Sequence, residues 1–274
     1  MSTTGQESLQ AGRDALAGYA KRVKPDTVLK VAGELIAVRD VFAGEAQLRR
    51  ALTDPGREAA DRAGLAEQVL SGKISAGALK VVDALVRGRW GTPGDFSDAL
   101  ETLAVDALLS AGSAQGVLGD VEDELFRFGR LVDGDARLSG VLANSGADPA
   151  GRIGVVDTLL TGKANPITVR LVELAVAGYG GRGFDASLSR LLEQTAAKRD
   201  ERIAYVTVAT PLPEDQETRL AQRLSQIYGQ PVQALVTVDP QVIGGIRVRI
   251  GYDLFDGTVV RRLTEARKAL VGGH

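Results

Sequence analysis

Two periods of apolar residues divide the chain. Up to about residue 197 they recur at three- and four-residue intervals, as amphipathic helices require. Leu9, Leu16, Tyr19, Ala20 and Val23 mark a first helix from Ser8, with Pro25 as its stop. A second is predicted from Asp26 or Thr27, with Val28, Val31, Leu35 and Val38 inward and Lys30, Glu34 and Arg39 outward. Phe42, Leu48 and Leu52 are placed on a further short helix before the Asp54-Pro55-Gly56 turn. Two more helical patterns cover residues 59–70 and 76–87, and another covers residues 95–110.

The helical pattern then repeats. Leu48 and Leu138, Gly72-Lys73 and Gly162-Lys163, and Gly91 and Gly181 all stand 90 residues apart. The register holds without a gap between them, pairing Glu34-Leu35 with Glu124-Leu125, Leu52 with Leu142 and Arg62 with Arg152. A period this long exceeds that of solenoid units and indicates a duplicated helical bundle. Beyond Gly91 the offset becomes 88, pairing Phe96 with Phe184 and Leu100 with Leu188. The helix at 95–110 therefore matches the last helix of the second copy while standing where that copy needs its first. The expected domains are a bundle over residues 1–110, a second over 95–197 sharing that helix, and a C-terminal domain over 198–274.

The charged run at 198–202 marks the change of period. Residues 203–208 read as a strand. Pro213 then opens a helix with Glu214, Asp215 and Glu217 in its positive first turn and Leu220, Leu224 and Ile227 inward, ending at Gly229-Gln230-Pro231. An apolar run from Leu235 to Val238 and an alternating run, Ile246, Val248 and Ile250 against Arg247 and Arg249, give two more strands. Asp239-Pro240 bends the chain between them, and Gly244-Gly245 permits a positive φ, a bulge or close approach of another backbone. Asp256-Gly257 is expected to turn the chain into a terminal helix over residues 258–270. The fold class is thus mainly α: two fused helical bundles followed by a small α+β domain.

Composition narrows the function. Thirty-three basic against 35 acidic residues leave a net charge of −2, too weak a field to steer the chain to nucleic acid or an anionic membrane. From Ala196 onward the two signs also nearly balance, which argues against a phosphate-tracking patch. Cysteine is absent and the only histidine is His274, so thiolate chemistry, Cys-based metal sites and Ser-His or Cys-His nucleophiles are excluded. No apolar run approaches the roughly 20 residues that span a bilayer, and MSTTGQESLQ lacks the basic and apolar regions of a signal peptide. The chain is expected to stay on the cytoplasmic side.

Gly178, Gly180 and Gly183 satisfy GxGxxG, but the preceding residues have helical spacing, so the reading is a helix-to-helix loop and not a dinucleotide site. Gly72-Lys73 and Gly162-Lys163 are followed by Ile74 and Ala164, where a phosphate loop needs Ser or Thr; glycine stops after helices explain them. Glu122-Asp123-Glu124 and Asp133-Gly134-Asp135 lack calcium-loop spacing and read as solvated helix faces. No cofactor, metal or catalytic residue is expected. An enzyme using carboxylates or lysine stays open, with nothing in the sequence pointing to it.

The run Val238, Asp239, Pro240, Val242, Ile243, Gly244, Gly245, Ile246, Arg247, Val248, Ile250, Gly251, then Asp256 and Gly257, resembles the end of the delta subunit of bacterial F-type ATP synthases, the family of the oligomycin-sensitivity-conferring protein. Residues 206–212, VTVATPL, resemble the opening strand of that family's C-terminal domain. Tyr252 stands where the family has Asp, and an acid follows at Asp253. Each helical copy resembles the family's N-terminal bundle, of which members usually carry one.

The resemblance implies a non-catalytic adaptor, peripheral on the cytoplasmic face of the cell membrane. It would join the alpha subunits' N-terminal segments, on the crown of the catalytic head, to the C-terminal ends of the stalk's b subunits. It marks Asp239, Pro240, Gly244, Gly245, Arg247, Gly251, Asp256 and Gly257 as structural or partner-binding residues, and leaves open which copy meets the alpha subunits. The same residues also admit a free-standing helical scaffold or regulatory binding protein.

Overall fold

A computed structural model describes residues 3–200, 202–229, 231–239, 242, 244–250 and 253–257. The chain divides into two compact units, Met1–Lys198 and Arg199–His274. The fold is mainly α with a small α+β unit near the C-terminus.

The first unit runs α1 (Thr3–Ala20), α2 (Pro25–Gly44), α3 (Ala46–Thr53), α4 (Ala59–Leu70), α5 (Ala76–Arg87), α6 (Pro93–Gln115), α7 (Leu118–Asp133), α8 (Ala136–Ala143), α9 (Pro149–Leu160) and α10 (Pro166–Ala177). A 3₁₀ turn (Tyr179–Gly181) then leads to α11 (Phe184–Asp200). Displaced by 90 residues, α3, α4 and α5 fall end for end on α8, α9 and α10. The same shift carries α1 onto residues 93–110 of α6. Phe96 near the start of α6 answers to Phe184 at the start of α11, so α6 stands in register with both α1 and α11.

Burial follows from that double role. Phe96, Leu100, Leu103, Ala104, Ala107, Leu108 and Ala111 of α6 are all at most 2% exposed. At roughly 1.5–3 kcal/mol for each large side chain, this burial far exceeds any helix-propensity effect. Towards copy one, the Phe96 ring meets Phe42 and Trp90, each with centroids 5.7 Å away, Asp106 pairs with Arg13 at 2.8 Å and Gln115 donates to Asp26 at 3.1 Å. Towards copy two, a Cβ at Gly112 would lie 2.8 Å from Leu118 and 3.1 Å from Ile167, so α6 approaches α7 and α10 closely. A Thr92–Asp95 capping box starts α6, and Gly116 in the left-handed region ends it.

Several details correct the sequence reading. Pro25 does not stand as a stop between helices; it opens α2 at the first helical position, where its missing N–H costs nothing. Phe42 belongs to α2, not to the short helix after it. Pro213 caps the following helix from one residue outside it. Glu34 and Arg39 do not face outward, since both meet partners across the bundle.

The second unit comprises β1 (Arg202–Val208), α12 (Glu214–Tyr228), β2 (Val232–Val238), β3 (Ile246–Ile250) and β4 (Asp253–Asp256). The sheet order is β2-β1-β3-β4. β1 and β2 are parallel, which requires the crossover that α12 supplies; β3 pairs antiparallel with β1 and with β4. Ala204, Val206, Val208, Val232, Ala234, Val248 and Ile250 pack with Leu224 of α12 into a small core. Strand β4 was not expected. Asp256 ends it opposite Arg247. The terminal helix predicted at 258–270 lies outside the described residues.

Candidate functional site

The β unit is held by backbone bonds around its glycines. The Asp239 N–H donates to Val208 O at 2.9 Å, Val242 N–H to Asp239 O at 3.0 Å and Gly244 N–H to Val242 O at 2.9 Å. Gly244 and Gly245 take φ of +66° and +85°, a region that side chains rarely enter. The chain can therefore reverse within a few residues and enter β3. Arg247 then pairs with Asp256 at 3.5 Å, and Gly257 N–H donates to Ile246 O at 2.9 Å. A Cβ on Gly257 would sit 3.2 Å from that same oxygen. Pro240 and Gly251 lie outside the described residues.

Cross-strand pairing places Thr207, Arg247, Arg249 and Leu254 on the face opposite α12. Arg247, Arg249 and Leu254 are exposed there, Leu254 at 55%. Phe255, opposite Val248 on the core side, is 52% exposed at the sheet edge. The same pairing puts Asp256 on this face beside Arg247.

In the helical unit, the polar residues that recur at 90-residue spacing serve the helix ends. Arg62, 4% exposed, donates to the carbonyls of Val86, Arg87 and Gly88 at the end of α5 and to those of Asp54 and Arg57. Its counterpart Arg152 donates to Val176 O at 2.8 Å and Leu142 O at 3.2 Å. Glu34 accepts from Ser75 N–H and Oγ at the start of α5. Glu124 accepts from Asn165 N–H at 2.9 Å and Thr168 Oγ1 at 2.5 Å at the start of α10. Each pair satisfies helix-terminal groups that would otherwise be buried unpaired. Glu124 is thus no solvated acid, and Asp135 caps α8 through Arg137 and Leu138 N–H.

The phosphate-like glycines are structural as well. Gly72 and Gly162, at φ +74° and +75°, complete equivalent turns in which Lys73 N–H meets Leu70 O and Lys163 N–H meets Leu160 O, both at 3.0 Å. The GxGxxG residues form the link from α10 to α11. Among the described residues no group of three or more His, Cys, Asp or Glu side chains is placed to hold a metal. Among them, too, no helix is long and apolar enough to cross a membrane.

Where the copies differ, their surfaces differ. A cleft of about 570 Å³ in copy one is lined by Arg50, Arg57 and Trp90 among others; the corresponding residues of copy two are Gly140, Ala147 and Gly180. Exposed apolar side chains occur in both copies, with Val41 and Leu131 at equivalent stations at 47% and 52%.

Among the described residues, three carboxyls stand above their ordinary range. Burial is the main cause at Glu101, opposed by the Gly180 N–H and Arg39. Burial also leads at Asp98, helped by Asp95, and at Glu173, opposed by Arg170.

The ATP synthase delta (OSCP) subunit family matches residues 105–270. The ATP synthase subunit delta of Salinispora arenicola is 49% identical over 269 residues, covering 98% of both chains. Those of Salinispora tropica and Streptomyces griseus are 47% and 39% identical, covering 98% and 99% of this chain.

The chain belongs to the ATP synthase delta (OSCP) subunit family.

As a member of the delta family it is a structural subunit of the synthase and not a catalytic one, serving ATP synthesis and ion transport. The family match starts inside α6 and runs through copy two and the α+β unit, leaving α1 to α5 outside it. Relatives of matching length nevertheless align over nearly the whole chain.

Proposed function

We propose that the chain is the stator adaptor of a proton-translocating synthase. On this reading it sits at the cytoplasmic face of the cell membrane as a peripheral part of the complex. Its helical region holds N-terminal segments of the alpha subunits on the crown of the catalytic head. Its C-terminal domain holds the ends of the b subunits, so that the head does not turn with the rotor. The observation carrying this is the family match over residues 105–270, which runs from within α6 through α7 to α11 and into the α+β unit.

The physical demand on such a part is stiffness and slow dissociation. Amphipathic helices seated in grooves between bundle helices supply the contacts. Several interfaces of roughly 1,600 Å² each reinforce one another through effective concentration. The working domains are residues 1–110, 95–197 and 198–274, with α6 shared. Within the last, Asp239, Pro240, Gly244, Gly245, Arg247, Gly251, Asp256 and Gly257 shape the stalk-side surface.

Affinity purification of the chain from its own membranes in gentle detergent tests the proposal. Recovery of alpha, beta and b subunits is expected. An intact, folded chain that brings down none of them would replace the adaptor with a free-standing scaffold.

A further inference from the structure

One buried carboxylate touches both helical copies. Glu101, on α6, is 6% exposed. One of its oxygens accepts from Arg39 Nη1 of α2 at 2.5 Å, and the other accepts the Gly180 N–H, in the turn between α10 and α11, at 2.8 Å. Arg39 belongs to copy one and Gly180 to copy two. None of the three recurs in the repeat. The residue 90 positions after Arg39 is Gly129, the one 90 before Gly180 is Trp90, and the one 90 before Glu101 is Ala11. The trio exists only where the copies meet.

We propose that Glu101 is a coupling residue, each of its oxygens holding a different copy, so that a displacement of α2 is carried through α6 to the Gly180 turn. This concerns the mechanics of the helical unit and holds whatever partners the chain binds. A buried ion pair is a poor source of net stability, because removing two charges from water offsets their attraction. What it supplies here is geometry, since a carboxylate can satisfy two donors in two directions only while both oxygens are acceptors.

The surroundings make the pairing selective. Arg39 is held from behind by Asp40 at 2.7 Å. Gly178 and Gly180 have positive φ, and the turn they form presents the Gly180 N–H to α6. Asp98, one turn earlier on α6, also acts on Glu101, and Arg182, which donates to Gly180 O at 3.1 Å, acts in turn on Asp98.

The test is amide hydrogen exchange at Gly180 in the full chain, read by NMR. Arg39→Met edits copy one only, yet should speed exchange at Gly180 by about tenfold or more, as should Glu101→Gln. The double variant should be no faster than the faster single, and Arg39→Lys should restore part of the protection. Gly180 exchange that stays within about twofold of wild type in Arg39→Met overturns the proposal, even if Glu101→Gln is fast, because the bond would then exist without coupling. Leu85 reports whether Arg39→Met loosens copy one as a whole. If it does, Arg39→Lys, which returns a donor to the same Glu101 oxygen, decides the matter: Gly180 exchange slowed relative to Leu85 supports coupling, and Gly180 exchange that simply tracks Leu85 overturns it.

Discussion

Arg62 and Arg152 do the same work 90 residues apart: Arg62 Nε donates to Val86 O and Arg152 Nη1 to Val176 O, both at 2.8 Å. Each is a buried guanidinium closing the end of the fifth helix of its copy. The duplication therefore extends from helix boundaries to the placement of a single polar contact.

The two arginines are not equally committed, and substitution should show it. Arg62 reaches five carbonyls and Arg152 two. Arg62→Met is expected to cost roughly 3–5 kcal/mol and Arg152→Met about 1–3 kcal/mol, since each strands buried acceptors. Urea unfolding of the two variants checks the order.

Glu124 closes the start of α10 by accepting from Asn165 N–H and Thr168 Oγ1. Glu124→Ala should cost about 1–2 kcal/mol, the scale of a lost helix cap. Exchange at the Asn165 amide should rise, while the C-terminal sheet stays protected.

Gly245 takes φ +85°. A branched side chain is strained there, so Gly245→Val should destabilise the α+β unit by about 1–3 kcal/mol. Thermal unfolding should show a lower transition for that unit alone. Under the adaptor reading, a pull-down with this variant should lose the b subunits before the alpha subunits.

Asp98, Glu101 and Glu173 all have raised pKa values in the folded chain. A raised carboxyl pKa means that the folded state binds the proton more tightly than the unfolded state does. These groups therefore add stability as pH falls from neutral towards the ordinary carboxyl range, and withdraw it as pH rises through their folded values. The Tm of the helical unit should rise on mild acidification at constant ionic strength. The triple variant Asp98→Asn, Glu101→Gln, Glu173→Gln should flatten that slope.

A fragment of residues 93–200 lacks the helices that cover one side of α6. Phe96, Leu100 and Leu103, each 0% exposed in the full chain, would lose partners from copy one. The fragment should self-associate, which light scattering coupled to size exclusion would reveal. A monomer with native exchange protection would show that copy two closes its own core.

Where the apolar period was regular, sequence reading and structure meet closely. Residues 59–70 and 76–87 are the helices α4 and α5, with the same ends. The pattern fails at polar side chains that turn inward. Glu34, Arg39 and Glu124 look like surface groups because their partners are helix termini or charges far along the chain. Strand β4 was missed for a related reason: its four residues alternate too briefly to show a period, and pairing with β3 is what makes them a strand.

The sequence by itself determined the duplication, the change of period at the C-terminal unit and the glycines at the opening of β3, because periodicity and backbone freedom are local properties. Only the tertiary structure decided which side chains bury α6 and that Glu101 reaches one donor on α2 and another in the Gly180 turn. Those facts depend on which surfaces meet, and a burial shared between segments up to 141 residues apart leaves no local mark on either.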